Sequence, residues 1–363
     1  DKMFSLSLHY SLSFLLACLL LALPACSDKT TSTQEQTLSQ LLGAFPAPPP
    51  LNIDTLETLT IENGHRYKIV YTVEEADTLF DRPTDRVKAY LFVPTHKKKQ
   101  QIPAIVAIHQ DGSRFDLGKL EPAGLGGSAD QAYGLELFQR GYVVICPDRF
   151  GHAERRRLEN ANPHMPPMMQ NLSLWMRWSG QLILQGRTYF GKEVYDLMRA
   201  VDVLSSLEFV DPQRIGAIGH SAAGNVLVYF MFMDKRIKAG VSSCGFFDLI
   251  DYYNDKEPGF ANAIFAIPHL ATSGRSEDYL AQLAPRPFLM TRGLWEHGKQ
   301  SPMEKKLSRA HVARTKQLEK LARLSYKEID ANEKFQSLYF DGGHIFPAPV
   351  RKEAYNFLDR YLK

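Results

Sequence analysis

Cysteine is scarce in this 363-residue chain, which has four: Cys18, Cys26, Cys146 and Cys244. There is no CxxC pair and no spaced His/Cys cluster, so the usual zinc frameworks and dithiol redox motifs are excluded. Charge of one sign is equally scant. A formal net charge of +3, from 43 Lys and Arg against 40 Asp and Glu, is too small to argue for binding to nucleic acid or to a membrane surface. No glycine-rich loop runs into Gly-Lys-Ser/Thr at a helix start, which disfavours a phosphate cradle. No internal repeat is visible. What is left, 44% hydrophobic and 23% charged residues, suits a globular chain that can bury a core.

The N-terminus differs from everything after it. Residues 3–25 are apolar and serine-rich around Phe14 to Leu23, and polar residues begin at Ser27. This pattern predicts a signal peptide over residues 1–26, short for a spanning helix. Leu23-Pro24-Ala25-Cys26 resembles the lipobox of bacterial lipoproteins, with Cys26 as the residue to be lipidated and tethered to a membrane. Pro24 departs from that pattern, and Leu15-Leu16-Ala17-Cys18 is a competing match. Residues 27–50, rich in Thr, Ser and Gln and closing on Pro48-Pro49-Pro50, are expected to be a flexible linker, with one globular domain over 51–363.

Within that domain, strand and helix patterns alternate, which predicts an α/β fold. Residues 66–73 and 86–93 read as antiparallel edge strands. The continuous apolar run 103–109 reads as a central parallel strand buried on both faces. Further strands are expected at 141–148, 214–220, 237–243, 287–293 and 337–340, with helices at 129–140, 192–206, 225–233, 302–328 and 350–362. Two stretches break the alternation. Residues 152–186 carry Arg155-Arg156-Arg157, four methionines, Trp175 and Trp178, and residues 245–273 are aromatic-rich and could form a lid. The arginine run is expected to be solvated surface, and the tryptophans to pack in the core or to wall a substrate site. Cys146 and Cys244 end strands that should not be neighbours, so free buried thiols are expected.

Chemistry concentrates at Gly219-His220-Ser221-Ala222-Ala223-Gly224, where a strand breaks into small residues around one serine. A serine raised between strand and helix sits in a strained conformation, and small residues two positions to either side give it room. Here they are Gly219 and Ala223. The amide of Ala222, in the first turn of the following helix, can donate to a developing oxyanion. A second donor is assigned to the amide of Asp111, in the loop after the central strand that leads to the glycine-rich residues 118–127. Two further strand ends supply an acid and a base. Glu296 follows strand 287–293, and Gly342-Gly343-His344 stands between the last strand and the closing helix. The chain order serine, acid, histidine predicts Ser221 as nucleophile, His344 as general base and Glu296 as its orienting acid. Asp248 is the rival for the acid; Asp341 lies too near His344 in sequence.

With these pieces in place, the chain resembles the dienelactone-hydrolase and acetyl-xylan-esterase branch of the α/β-hydrolases. The resemblance rests on His109-Gln110-Asp111-Gly112, Glu121 to Gly127, Asp148-Arg149-Phe150-Gly151, the serine segment and Gly343-His344, and spans roughly residues 85–362. It implies a mostly parallel eight-stranded sheet with helices on both faces, an acyl-enzyme mechanism, and no metal or organic cofactor. Ser221 stands where true dienelactone hydrolases have cysteine, which argues against that reaction. The expectation is an exported serine esterase acting on small or carbohydrate-linked acyl esters. A serine peptidase and an inactive hydrolase-fold binding lipoprotein are the alternatives.

Overall fold

The computed structural model describes residues 37–95, 101–254 and 263–363, all within the unit Gln36–Lys363. The expected signal peptide and Cys26 lie outside the described residues. Nine strands form one sheet: β1 (Asp54–Ile61), β2 (Gly64–Glu74), β3 (Asp85–Pro94), β4 (Ile102–Ile108), β5 (Val143–Pro147), β6 (Val210–His220), β7 (Ile237–Ser243), β8 (Phe288–Gly293) and β9 (Phe335–Phe340). Their order is β1-β2-β3-β5-β4-β6-β7-β8-β9. The first three are antiparallel to their neighbours, and β5 through β9 in that order run parallel. Every residue of β4 is buried, as a strand covered on both faces requires.

The sheet has one strand more than expected. β1 escaped the sequence reading because its apolar side chains do not point to a core: Leu56 and Leu59 are exposed, and the register slips between Thr55 and Glu57. Period-two alternation marks a strand only where one face is buried. The expected linker is also shorter. Leu38–Leu42 forms a helical turn whose Leu38, Leu41 and Leu42 join the core, and Thr188 donates to the Leu42 carbonyl at 2.9 Å. Leucines at this spacing need burial, so the folded domain already includes Leu38–Leu42 and does not start at 51.

Helices cover both faces. Tyr189–Ser205 and Ala222–Met233 pack on one, with the distal half of Pro302–Glu328; Tyr133–Gln139 and Ala348–Leu362 cover the other. Cys146 in β5 and Cys244 just after β7 are free and buried, and β4 and β6 lie between those two strands. The stretch 152–186 is less irregular than its sequence suggests, because Pro167–Leu184 is a continuous helix. Its tryptophans are structural. Trp175 is 2% exposed, packs edge-on against Phe115 and donates from Nε1 to the Gly151 carbonyl at 3.2 Å. Trp175→Ala should therefore lower unfolding free energy by about 3 to 5 kcal/mol, read as a fall in the urea midpoint at unchanged slope.

Arg155 departs from the expected solvated run. It is buried and pairs with Asp85 at 2.6 Å and Asp196 at 2.8 Å, while Lys192 pairs with Asp85 at 2.7 Å. A guanidinium can be buried only when carboxylates meet it, and those partners lie 41 and 70 residues away in sequence.

Candidate active site

Ser221 sits at the junction of β6 and the helix Ala222–Met233, with φ 57° and ψ −130°. This is a costly conformation for a residue with a side chain. Its amide donates to the Ser243 carbonyl at 2.8 Å, tying the turn to the end of β7. Gly219 is required by close approach, since a Cβ there would fall 2.8 Å from the Ala223 carbonyl carbon. The register then aligns the strand ends: Ile108 opposite Gly219, His220 opposite Ser243, and Ser243 opposite Thr291.

The acid and the histidine arrive on adjacent strands. β8 pairs with β9 as far as Gly293 opposite Phe340, and the loops beyond stay in contact, with the Trp295 amide donating to the Gly342 carbonyl at 2.9 Å. Gly293 has no room for a Cβ, because the Gly343 carbonyl oxygen occupies that place. This close approach brings Glu296 and His344 together. A carboxylate can only accept, so the His344 Nδ1 proton is donated to Glu296 Oε2 at 2.7 Å, and Nε2 is left to accept from Ser221 Oγ at 2.8 Å. His344 is 41% exposed at the mouth of the site, while Glu296 is 4% exposed behind it.

Burial alone would raise the Glu296 carboxyl, but Arg292 and the His344 hydrogen bond outweigh it and hold the group well below the usual carboxylate range. Glu296 is therefore ionised wherever the protein is folded near neutrality. His220, buried beneath His344 with ring centroids 4.9 Å apart, is pushed down to about 3 by burial and by His344 itself. It stays neutral and shares a hydrogen bond with Ser243 Oγ at 3.0 Å. Cys244 also faces the site, yet burial, reinforced by Glu296, pushes its thiol up, so it is not an alternative nucleophile.

A solvent-open cleft of about 650 Å³ is lined by Asp111, Ser221, Ala222, Glu296 and His344 together with Phe247, Tyr252 and Phe265. The five residues singled out in the sequence thus meet in one cleft. Ala222 opens its helix, where first-turn amides have no intrahelical acceptor. The Asp111 carboxylate is fastened by Arg149 and by His152 Nε2 at 3.0 Å, and Arg149 reaches on to Glu193 at 2.8 Å. Burial pushes Glu193 up to about 7 despite Arg149. Asp248 is elsewhere: its Oδ1 caps the helix Leu249–Tyr253 and its Oδ2 accepts from Arg275 at 2.9 Å. Asp341 accepts from Trp295 Nε1 at 2.6 Å.

The prolyl oligopeptidase family (Peptidase_S9) matches residues 186–286, the segment that contains Ser221. YtaP of Bacillus subtilis (strain 168), a hydrolase by name, is 26% identical over 344 residues, covering 91% of this chain and 99% of that protein. Acetyl xylan esterase 1 from Thermoanaerobacterium sp. superimposes with a TM-score of 0.53 at 16% identity, over 91% of this chain and all of that one. Glucuronoyl esterase from Solibacter usitatus gives a TM-score of 0.56 at 14% identity, over 89% of each. The chain has the α/β-hydrolase fold.

In an α/β-hydrolase frame, polar residues at the carboxyl ends of parallel strands are the place to look for chemistry, and the sequence placed its three there. It missed the residues that support them. Arg292 and His311 line the same cleft behind Glu296, and Phe247, Tyr252 and Phe265 form its apolar wall. Arg292 lies four residues before Glu296 at the end of a predicted strand, which was a usable signal. His311, within the helix Pro302–Glu328, offered none.

Proposed function

We propose that the chain is an exported serine esterase that cleaves small or carbohydrate-linked acyl esters through an acyl-enzyme. The observation that carries this reading is the unbroken hydrogen-bonded chain Ser221–His344–Glu296 lining an open cleft. Ser221 Oγ attacks the ester carbonyl carbon as its proton passes to His344 Nε2. The oxyanion is met by the amides of Ala222 and Asp111. As the carbon–oxygen bond to the alcohol breaks, His344 returns the proton to the leaving oxygen. Water, deprotonated by the same nitrogen, then adds to the acyl carbon, and as the acyl–Oγ bond breaks His344 returns that proton to Ser221. Glu296 keeps the proton-bearing nitrogen of His344 turned away from the serine and balances the imidazolium. Acetyl esters on carbohydrate are the favoured class, supported by the overall likeness to an acetyl xylan esterase and a glucuronoyl esterase.

Export is supported by the apolar run ending at Cys26, with lipidation of that cysteine as the tether. Among the described residues no helix is long and apolar enough to cross a membrane.

The match to the prolyl oligopeptidase family favours a second reading, peptide hydrolysis through the same serine. A panel of aryl acetates, acetylated xylan and acyl-peptide anilides separates the two. Turnover of the acetyl esters, with labelling of Ser221 by a fluorophosphonate, is expected. Activity confined to the peptides would transfer the assignment to the peptidases, and a folded, unlabelled protein would refute both.

A further inference from the structure

Arg292, the penultimate residue of β8, has only 3% of its side chain exposed. A buried guanidinium is costly unless groups around it accept its protons, and three elements do so. Its Nη1 lies 3.3 Å from Glu296 Oε1 and 3.2 Å from Oε2, and donates to His311 Nε2 of the helix Pro302–Glu328 at 2.7 Å. Its Nη2 donates to the Phe246 carbonyl just beyond β7. Because a guanidinium has no acceptor atom, His311 must accept here and carry its own proton on Nδ1. The carboxylate is thereby held on its far side: the Gly293 amide takes Oε1 at 3.1 Å, Arg292 spans both oxygens, and Oε2 remains directed at His344.

We propose that Arg292, seated by His311, is a positioning residue of the active site that locks Glu296 in place and sets a fixed positive charge behind the Glu296–His344 pair. The proposal rests on the serine-hydrolase reading above. A carboxylate already paired with one cation supports a second less strongly, so the arrangement favours the neutral imidazole that attack on an ester requires. The titratable and charged groups facing the pair are Arg292 from β8, His311 from the long helix, Cys244 just after β7 and His220 from the serine turn; Tyr339 of β9 faces Arg292, and the His297 ring packs edge-on against His311. Arg292 is the one of these that stays charged at every working pH.

The test is the pH profile of kcat/KM for an aryl acetate in the parent, Arg292→Met, His311→Gln and His311→Leu. Removing the arginine charge takes a like charge away from protonated His344, so the acid limb should move to higher pH by about one unit. With it, kcat should fall roughly 10-fold while KM stays within about 2-fold, as expected when an interaction serves the transition state and not substrate binding. His311→Gln keeps an acceptor for Arg292 and should shift the acid limb less than His311→Leu, which removes it and should shift part of the way towards Arg292→Met. An Arg292→Met enzyme whose acid limb coincides with the parent's would overturn the proposal. If that variant fails to fold, a His311→Leu enzyme indistinguishable from His311→Gln overturns it instead. A folded parent that neither turns over the ester nor takes a fluorophosphonate defeats the underlying hydrolase reading, a result separable from an active parent with unmoved limbs.

Discussion

Replacing Ser221 with alanine is expected to lower kcat for an aryl acetate by about 10⁶-fold, leaving the weak residual rate that cleft binding and the oxyanion donors provide to attacking water. The size follows from the site's construction. His344 Nε2 has Ser221 Oγ as its partner at 2.8 Å, and Glu296 is committed to the opposite nitrogen, so no other side chain takes the place of the nucleophile. Cys244 cannot substitute, because burial keeps its thiol protonated. Relief of the strain at φ 57° is not expected either, since alanine carries the same Cβ. Stability should therefore hardly change, and urea unfolding of the variant serves as the control. A loss smaller than about 100-fold, well short of what removing an essential nucleophile costs, would exclude Ser221 from that role.

Glu296→Gln should be nearly as damaging to kcat, about 10⁴-fold, although the shape of the side chain is kept. In glutamine one of the two oxygens becomes an amide donor: at the Oε2 place it faces His344 Nδ1, and at the Oε1 place it faces the Gly293 amide and Arg292 Nη1, all of them donors. If that group turns to His344, the imidazole proton is driven to Nε2, the nitrogen that must accept from Ser221. If it turns to Arg292, two donors meet. Either way the buried guanidinium loses its counter-charge, so the unfolding free energy should drop by about 3 to 5 kcal/mol as well. The two readouts part company in a useful way: Ser221→Ala costs rate alone, Glu296→Gln costs rate and stability. Activity within tenfold of the parent would return the acid's role to open question, and Asp248 would not inherit it, being engaged with Arg275 and its own helix start.

Much of the site was legible because its constraints are local. A strained turn demands Gly219 and Ala223 beside Ser221, and a histidine delivered by a terminal strand shows itself as Gly343-His344. The acid was narrowed by position: both Glu296 and Asp248 follow strands, and three-dimensional packing sets Glu296 against His344 and gives Asp248 other partners. What stayed hidden depends on contacts between distant segments. Arg155 reads as a surface cation until its carboxylates are brought around it, and the groups that bury Arg292 come from separate segments; burial of charge is a property of partners, not of the residue. The ninth strand was missed for the converse reason. β1 is held by its backbone ladder to β2 while its leucines face water, so the hydrophobic alternation that announces a buried face carries no information about it. Residues 37–50 looked linker-like in composition, and the three leucines that dock them are a smaller signal than the prolines that follow.

The proposed nucleophile and its proposed base have unequal foundations. Ser221 stands on β6, flanked on both sides by parallel strands deep in the sheet, whereas His344 hangs from β9, the outermost strand, most of which is only half-buried. Free energies of local opening fall toward edges and ends. A rim strand that frays takes the histidine with it, and the Gly293–Gly343 contact passes the loss to the loop bearing Glu296, while the serine turn remains folded. The working lifetime of the site is thus governed by the margin of the sheet, and an enzyme intact by every measure of its core could already be silent.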